Sequence, residues 1–285
     1  MRPDTFEGPN AAQAKNWHGR DGARWARHKA PHDTMLAPLT EKVFDAVKFA
    51  PGHYVLDLGC GSGTTTFEIA RRIAPSGSVI GIDFSETLLG LGRDQAAVEP
   101  GLSIKFEFAD VETHNFAVSS FDVAFSRIGV MFFSNPATAF ANVRRALIPG
   151  GRLAFVCWRK VRANTWASVT LDIARRHVEM PPRPGPEDPG PYSFRDPERV
   201  HRILTEAGWS DSAVVELDAD AYMGADLDEA LANCLIMGPI ANQILAASEN
   251  KRAAISAELR SVLPEYATER GVIMHAATWF VTATA

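Results

Sequence analysis

Between His53 and Cys157, short apolar runs alternate with stretches of helical period, and this alternation narrows the fold more than any other feature of the chain. The runs Tyr54–Leu58, Ser78–Asp83, Ile104–Asp110, Phe121–Ser126 and Gly151–Trp158 are β-rich and bounded by turn residues. Thr65–Ile73, Glu86–Ala97 and Pro136–Leu147 lie between them and carry apolar residues at helical spacing. Pro136 suits a first helical turn, with Ser134 or Asn135 as its cap, and Pro149-Gly150-Gly151 predicts the end of that helix. Strands alternating with helices imply a parallel sheet covered on both faces. Such sheets bind ligands outside the carboxyl ends of their strands, where the strand order reverses.

The flanks divide the chain further. Residues 1–50 read as a separate N-terminal helical cap: a short helix, a break at Pro31, and a second helix from about Asp33. Residues 51–221 form the α/β core. It includes a helix from about Ala163 to Glu179, a capped helix within Asp196–Trp209 and a further strand, SAVVELDAD. In the loop Pro181–Pro191, six of eleven residues are proline, which fixes φ and makes the loop stiff rather than floppy. Residues 222–264 read as a helical lid insertion, and residues 265–285 as the final strand of the core.

Composition excludes several classes. At 285 residues the chain is long enough for one large α/β domain with an insertion, and a net charge of −5 argues against wholesale attraction to nucleic acid. No apolar run reaches membrane-spanning length, and MRPDTFEGPN lacks the features of a signal peptide. Cys60, Cys157 and Cys234 are odd in number and lack metal-ligand spacing, so they read as reduced thiols of a cytoplasmic protein.

The loop after the first strand is Gly59-Cys60-Gly61-Ser62-Gly63, preceded by Asp57. The dinucleotide fingerprint GxGxxG would place its third glycine at Thr64, so this GxGxG loop better suits a cofactor with an ammonium group and no phosphate. Asp83 ends the second strand, where ribose hydroxyls would lie, with Phe84 beside it to pack on a purine face. Asp110 ends the third, and with the Val111 N–H it can hold an adenine amino group and a ring nitrogen. Each acid alone reads as a cap or strand-end residue. Together they point to one ligand.

The motifs VLDLGCGSG, VIGIDFS and FADVE resemble those of class I S-adenosylmethionine-dependent methyltransferases. SRIGVMFF, ANVRRALIPGGRLAFVCWR, the N-terminal tryptophans and GPYSFRDPERVHRILTEAGW resemble the ubiquinone/menaquinone C-methyltransferase-like branch, so the likeness covers nearly the whole chain. The resemblance implies a Rossmann-like, doubly wound, mainly parallel seven-stranded sheet and S-adenosyl-L-methionine as cofactor. It further implies that Asp57, Gly59 and Gly61, within the loop that includes Cys60 and Gly63, face the methionine moiety. Asp83 and Phe84 then face the ribose and adenine edge, and Asp110 and Val111 the adenine. Ser126 offers backbone contacts near the sulfonium.

The acceptor side is less determined. Ser126-Arg127-Ile128-Gly129 at the end of the fourth strand departs from the Asn-Pro-Pro-Tyr type of motif found in many methyltransferases of nucleobase amines and glutamine amides. Arg127 has two readings, an anchor for an acidic substrate group or the partner of a nearby carboxylate. Met131 and Trp158 divide between pocket and core, and Trp17 and Trp25 are candidate aromatic contacts. No catalytic residue is assigned: His28 and His32 are alternative bases for a hydroxyl acceptor. No metal site is expected, because Pro31 interrupts the His28–His32 spacing and no third ligand is evident. The expected partner is a small, apolar or aromatic methyl acceptor. The alternatives are a non-catalytic cofactor-binding protein on the same fold and, with less in its favour, an RNA or protein methyltransferase.

Overall fold

The computed structural model describes residues 8–285; the expectation that the N-terminus carries no targeting signal falls largely on Met1–Glu7, outside them. Three helices open the chain: α1 (Ala11–His18), α2 (Arg20–Arg27) and α3 (Lys29–Val47). The breaks fall at Gly19 and His28, which corrects the expected break at Pro31. Pro31 lies in the first turn of α3, where an N–H would lack an intrahelical acceptor in any case. Further along, α3 buries Met35, Leu36, Leu39, Val43, Phe44 and Val47, an apolar stripe of helical spacing.

The core then alternates as expected: β1 (Tyr54–Leu58), α4 (Thr64–Ile73), β2 (Ser78–Asp83), α5 (Glu86–Val98), β3 (Ile104–Phe108), β4 (Phe121–Arg127), α6 (Pro136–Ala146) and β5 (Leu147–Trp158). Asn135 caps α6, accepting the Thr138 N–H at 3.1 Å. Pro149-Gly150-Gly151 lies within β5 instead of merely ending α6. The β4–β5 register jumps from Phe121↔Leu147 to Val123↔Arg152, so the turn bulges out of the ladder that proline cannot join as a donor.

The chain continues through α7 (Thr165–Ala174), α8 (Pro197–Glu206), β6 (Ser210–Glu216), β7 (Ala219–Gly224), α9 (Leu227–Ile236), α10 (Ala241–Ala246), α11 (Glu249–Val262), β8 (Ala267–Thr268), β9 (Gly271–Ala276) and β10 (Thr278–Thr284). The main sheet has seven strands in the order β3-β2-β1-β4-β5-β10-β6, with β10 antiparallel to both neighbours. Two runs expected as single strands are each split between sheets. SAVVELDAD divides into β6 and β7, and the closing run into β9 and β10. The insertion between β6 and β10 therefore adds a three-stranded sheet, β7-β9-β8, to its helices. Asp218 makes the corner by accepting the Thr278 N–H (3.1 Å) and pairing with Arg159 and His275.

The strand order reverses at β1, which lies between β2 and β4. The turns after β1 and β4 meet there, so closely that a Cβ at Gly59 would lie 2.9 Å from the Gly129 Cα. Among the described residues no helix is long and apolar enough to cross a membrane.

Candidate active site

The glycine loop holds Gly59, Gly61 and Gly63 at φ of +68°, +57° and +86°. The N–H groups of Gly59 and Cys60 both donate to the Ile82 carbonyl (2.8 and 3.0 Å), folding the loop over the end of β2. A side chain at Gly63 would strike the Phe106 ring at 2.5 Å. Gly61 differs: a Cβ there would meet only Leu88, at 4.0 Å, so its backbone borders open space. Cys60 is a correction to the sequence reading. Its thiol packs against Gly81 in a small cluster with Phe67, Leu89 and Phe106, so its side chain is core rather than ligand contact.

Three carboxylates surround this loop. Asp57 is fully buried, and its Oδ2 accepts the hydroxyls of Thr65 (2.8 Å) and Thr66 (2.7 Å), while Oδ1 has no donor among the described residues. Burial lifts its pKa to about 6, against the Thr66 and Thr65 hydroxyls and the charge on Arg127. Asp83 accepts the Gly61 N–H and the Ser85 N–H, one on each oxygen, both at 2.8 Å. A carboxylate offers about four lone-pair directions, so these two bonds leave it able to accept further donors. Burial raises the Asp83 pKa, and these backbone N–H groups oppose it. Half-buried Phe84 follows directly. Asp110 is buried; its Oδ1 accepts from Asn10 (2.8 Å) and the Glu112 N–H (2.9 Å), and Oδ2 has no donor among the described residues. Burial raises its pKa as well. Val111 is buried, with its carbonyl taken by Asn142 at 2.8 Å.

At the end of β4, the buried Ser126 hydroxyl donates to the Leu58 carbonyl (2.7 Å) and accepts the Gly129 N–H (3.2 Å), tying β4 to β1. Ile128 sits at φ +56°, a strained position for a β-branched residue and one that sequence reading did not anticipate.

Residues 55–151 match a methyltransferase domain family. Nocamycin O-methyltransferase of Saccharothrix syringae is 28% identical over 264 residues, covering 88% of each protein. A ubiquinone/menaquinone biosynthesis C-methyltransferase of Geobacter sulfurreducens is 35% identical over 124 residues, 43% of this chain and 48% of that protein. Phosphoethanolamine N-methyltransferase 2 of Haemonchus contortus, solved with S-adenosyl-L-methionine, shares the fold at TM-score 0.59 and 17% identity, over 98% of this chain and 60% of that one. Residues 55–151 thus resemble a methyltransferase domain, and the chain shares the Rossmann-like methyltransferase fold. It spans about half the length of several curated relatives that it matches, 48% to 59%.

The residues present fit the cofactor of that family. The buried Asp57 Oδ1 suits an ammonium, the remaining acceptor capacity of Asp83 suits a ribose hydroxyl, and the buried Asp110 Oδ2 suits an amino group. Gly61 leaves the backbone open where a side chain would fill the cradle.

Aromatic side chains gather under the N-terminal helices. Trp17 meets Phe132 edge-on at 5.1 Å and Trp25 at 6.1 Å, and Trp25 stacks on His32 at 4.0 Å. His32 is buried with Nδ1 2.8 Å from the His28 carbonyl. A carbonyl only accepts, so the proton sits on Nδ1 and Nε2 carries the lone pair. Burial pushes the His32 pKa down to about 4, leaving the ring neutral at pH 7. Arg127 follows the second of its two readings: it donates to Thr40 (2.7 Å) and lies 3.9 Å from Asp33.

Met131 and Trp158 follow the core one of their two readings, since both side chains are buried. The Met131 side chain is buried and its carbonyl anchors the proline-rich loop through Ser193 (2.7 Å) and Gly190 (3.1 Å). Trp158 pairs with Trp166 at 5.0 Å, fixing α7 to the sheet. The cap touches the insertion: Asn242 donates to Asp21 (2.7 Å), Arg24 to the Ile236 carbonyl (3.2 Å), and α3 packs on β7. No group of three metal-ligating side chains occurs among the described residues.

Sequence reasoning missed Asn10, Asp33, Thr65 and Thr66. The threonine run after the glycine loop was a visible signal, since hydroxyls one helical turn or less from the loop can reach back to β1. Asp33, which accepts from Thr64 (2.8 Å) and Lys29 (2.5 Å), carried no local signal for its role in fastening α3 to α4.

Proposed function

We propose that this chain transfers the methyl group of S-adenosylmethionine to a small, mainly apolar or aromatic metabolite. The arrangement that carries this reading is the open glycine loop ringed by acids from three adjacent strands, two of them with a vacant buried oxygen. Asp57 would hold the ammonium, Asp83 the ribose hydroxyls, and Asp110 with Val111 the adenine edge. The bound cofactor supplies an already activated methyl group. The chain's own residues then have to orient the acceptor and keep water out. The cap helices and α9–α10 serve as the lid, and Trp17, Trp25 and Phe132 form an apolar wall for the acceptor.

For an acceptor that gives up a proton, His32 Nε2 is the favoured base over His28. The His28 carbonyl fixes the His32 tautomer, leaving a lone pair on a neutral ring within the aromatic cluster. The acidic balance and the lack of a basic arm favour a metabolite over nucleic acid, and the cysteine usage favours the cytoplasm.

The deciding experiment is transfer of labelled methyl groups into a metabolite extract, with and without nuclease. A small, nuclease-insensitive product is expected. Cofactor binding without any labelled product would favour the non-catalytic alternative, and nuclease-sensitive label would favour an RNA methyltransferase.

A further inference from the structure

Asn10 precedes α1 at a position where asparagine ordinarily caps a helix, yet its side chain makes no cap bond to α1. It is fully buried and spent elsewhere. Its Nδ2 donates to Asp110 Oδ1 at 2.8 Å, and its Oδ1 accepts the Ser134 N–H at 2.8 Å, so one side chain joins the cap, the turn after β3 and the turn before α6. The Glu112 N–H also donates to Asp110 Oδ1 (2.9 Å). That oxygen is therefore doubly satisfied, while Oδ2 is buried without a donor among the described residues.

A carboxylate rotates freely about its last torsion unless its surroundings choose a rotamer, and a buried acceptor left empty is costly. Two donors on Oδ1 choose the rotamer here and leave Oδ2 for a further donor. Of these two donors, the Asn10 amide belongs to the cap and the Glu112 N–H to the backbone of the core.

We propose that Asn10 is a positioning residue for cofactor recognition: by holding Asp110 Oδ1 it presents Oδ2 to the adenine amino group, so docking of the cap and discrimination of the purine are one event. The proposal rests on the reading of Asp110 as the adenine acceptor. An amino group donates to Oδ2, whereas the oxo group of a hypoxanthine at the same place meets it acceptor to acceptor. A site built around a buried hydrogen bond rejects the analogue that cannot make it.

Calorimetry on the full chain with S-adenosylhomocysteine and its deaminated counterpart, S-inosylhomocysteine, tests this. The native protein should prefer the adenosyl ligand by roughly tenfold or more. Asn10→Ala should weaken the adenosyl ligand by roughly tenfold while changing the inosyl ligand by less than about twofold, collapsing the preference. Asn10→Asp, close in size but with an acceptor in place of the donor, should collapse it as well, and thermal melting confirms that each variant is folded. In an Asp110→Asn background, Asn10→Ala should have no further effect on the preference. An equal loss for both ligands would make Asn10 a mere closure contact and overturn the proposal, as would an unchanged preference. A native protein that binds neither ligand would instead overturn the cofactor reading beneath it.

Discussion

Asp57 shows how a single buried group ties ligand charge to pH. In the free protein, burial holds its pKa at about 6 against an ordinary 3.8, so the folded state binds more protons than the unfolded chain between those values. Its contribution to stability is therefore fully present below the unfolded value and is lost as pH rises through about 6. An ammonium beside Oδ1 favours the carboxylate form, so ligand binding near pH 6 should expel a proton. S-adenosylhomocysteine affinity should accordingly rise as pH increases through about 6, with a binding enthalpy that depends on the ionisation enthalpy of the buffer. Asp57→Asn should remove both effects; a pH-independent affinity in the native protein would separate Asp57 from the ammonium. Asp83 makes a second residue-scale prediction. It accepts the Gly61 and Ser85 N–H groups and is proposed to hold the ribose, so Asp83→Ala should weaken S-adenosylhomocysteine binding by about 1–3 kcal/mol and also lower the melting temperature.

Elements are fastened to one another by polar side chains whose partners are distant in sequence. Asp33 on α3 accepts from Thr64 at the start of α4 and lies near Arg127 at the end of β4. Removing that carboxylate leaves the buried Arg127 guanidinium without its nearest counter-charge outside β1. Asp33→Ala should therefore destabilise the protein by about 1–3 kcal/mol in denaturant unfolding, with faster amide exchange in the first turns of α3. Periodicity located the core helices and strands because their apolar faces repeat locally. It failed at Ser212–Asp220, where the apolar pattern continues across a corner made by Asp218 rather than by glycine or proline. Pro31 misled for the complementary reason: proline breaks a helix interior but suits its first turn.

In the whole molecule, α3 belongs to the core, and the two shorter helices lie outside it, where the proposed lid places them. Met35, Leu36, Leu39, Val43 and Phe44 bury α3, whereas α1 and α2 together bury only Ala14 and Gly22. Deleting residues 1–28 should leave a folded protein that binds cofactor weakly and transfers no methyl groups. Deleting through Val47 should expose the apolar stripe and yield an insoluble or unfolded chain. Retention of full turnover after the shorter deletion would reduce α1 and α2 to an appendage. Because the cap and insertion share the Asn242–Asp21 and Arg24–Ile236 contacts, S-adenosylhomocysteine should slow amide exchange in α1–α2 and α9–α10 together, measured by mass spectrometry.

The sequence by itself determined the alternating α/β core, the glycine loop and the acids at the ends of β1, β2 and β3. Each of these is written in local spacing: helical or strand period, a left-handed turn that demands glycine, an acid at a strand end. The tertiary structure alone decided that Cys60, Met131 and Trp158 face the core, that Arg127 is paired within the protein, and that the insertion carries its own sheet. It alone brought Asn10 to Asp110, one hundred residues away. Side-chain direction and long-range pairing depend on which elements meet, and that choice of partner, unlike the buried face itself, leaves no periodic trace in the chain.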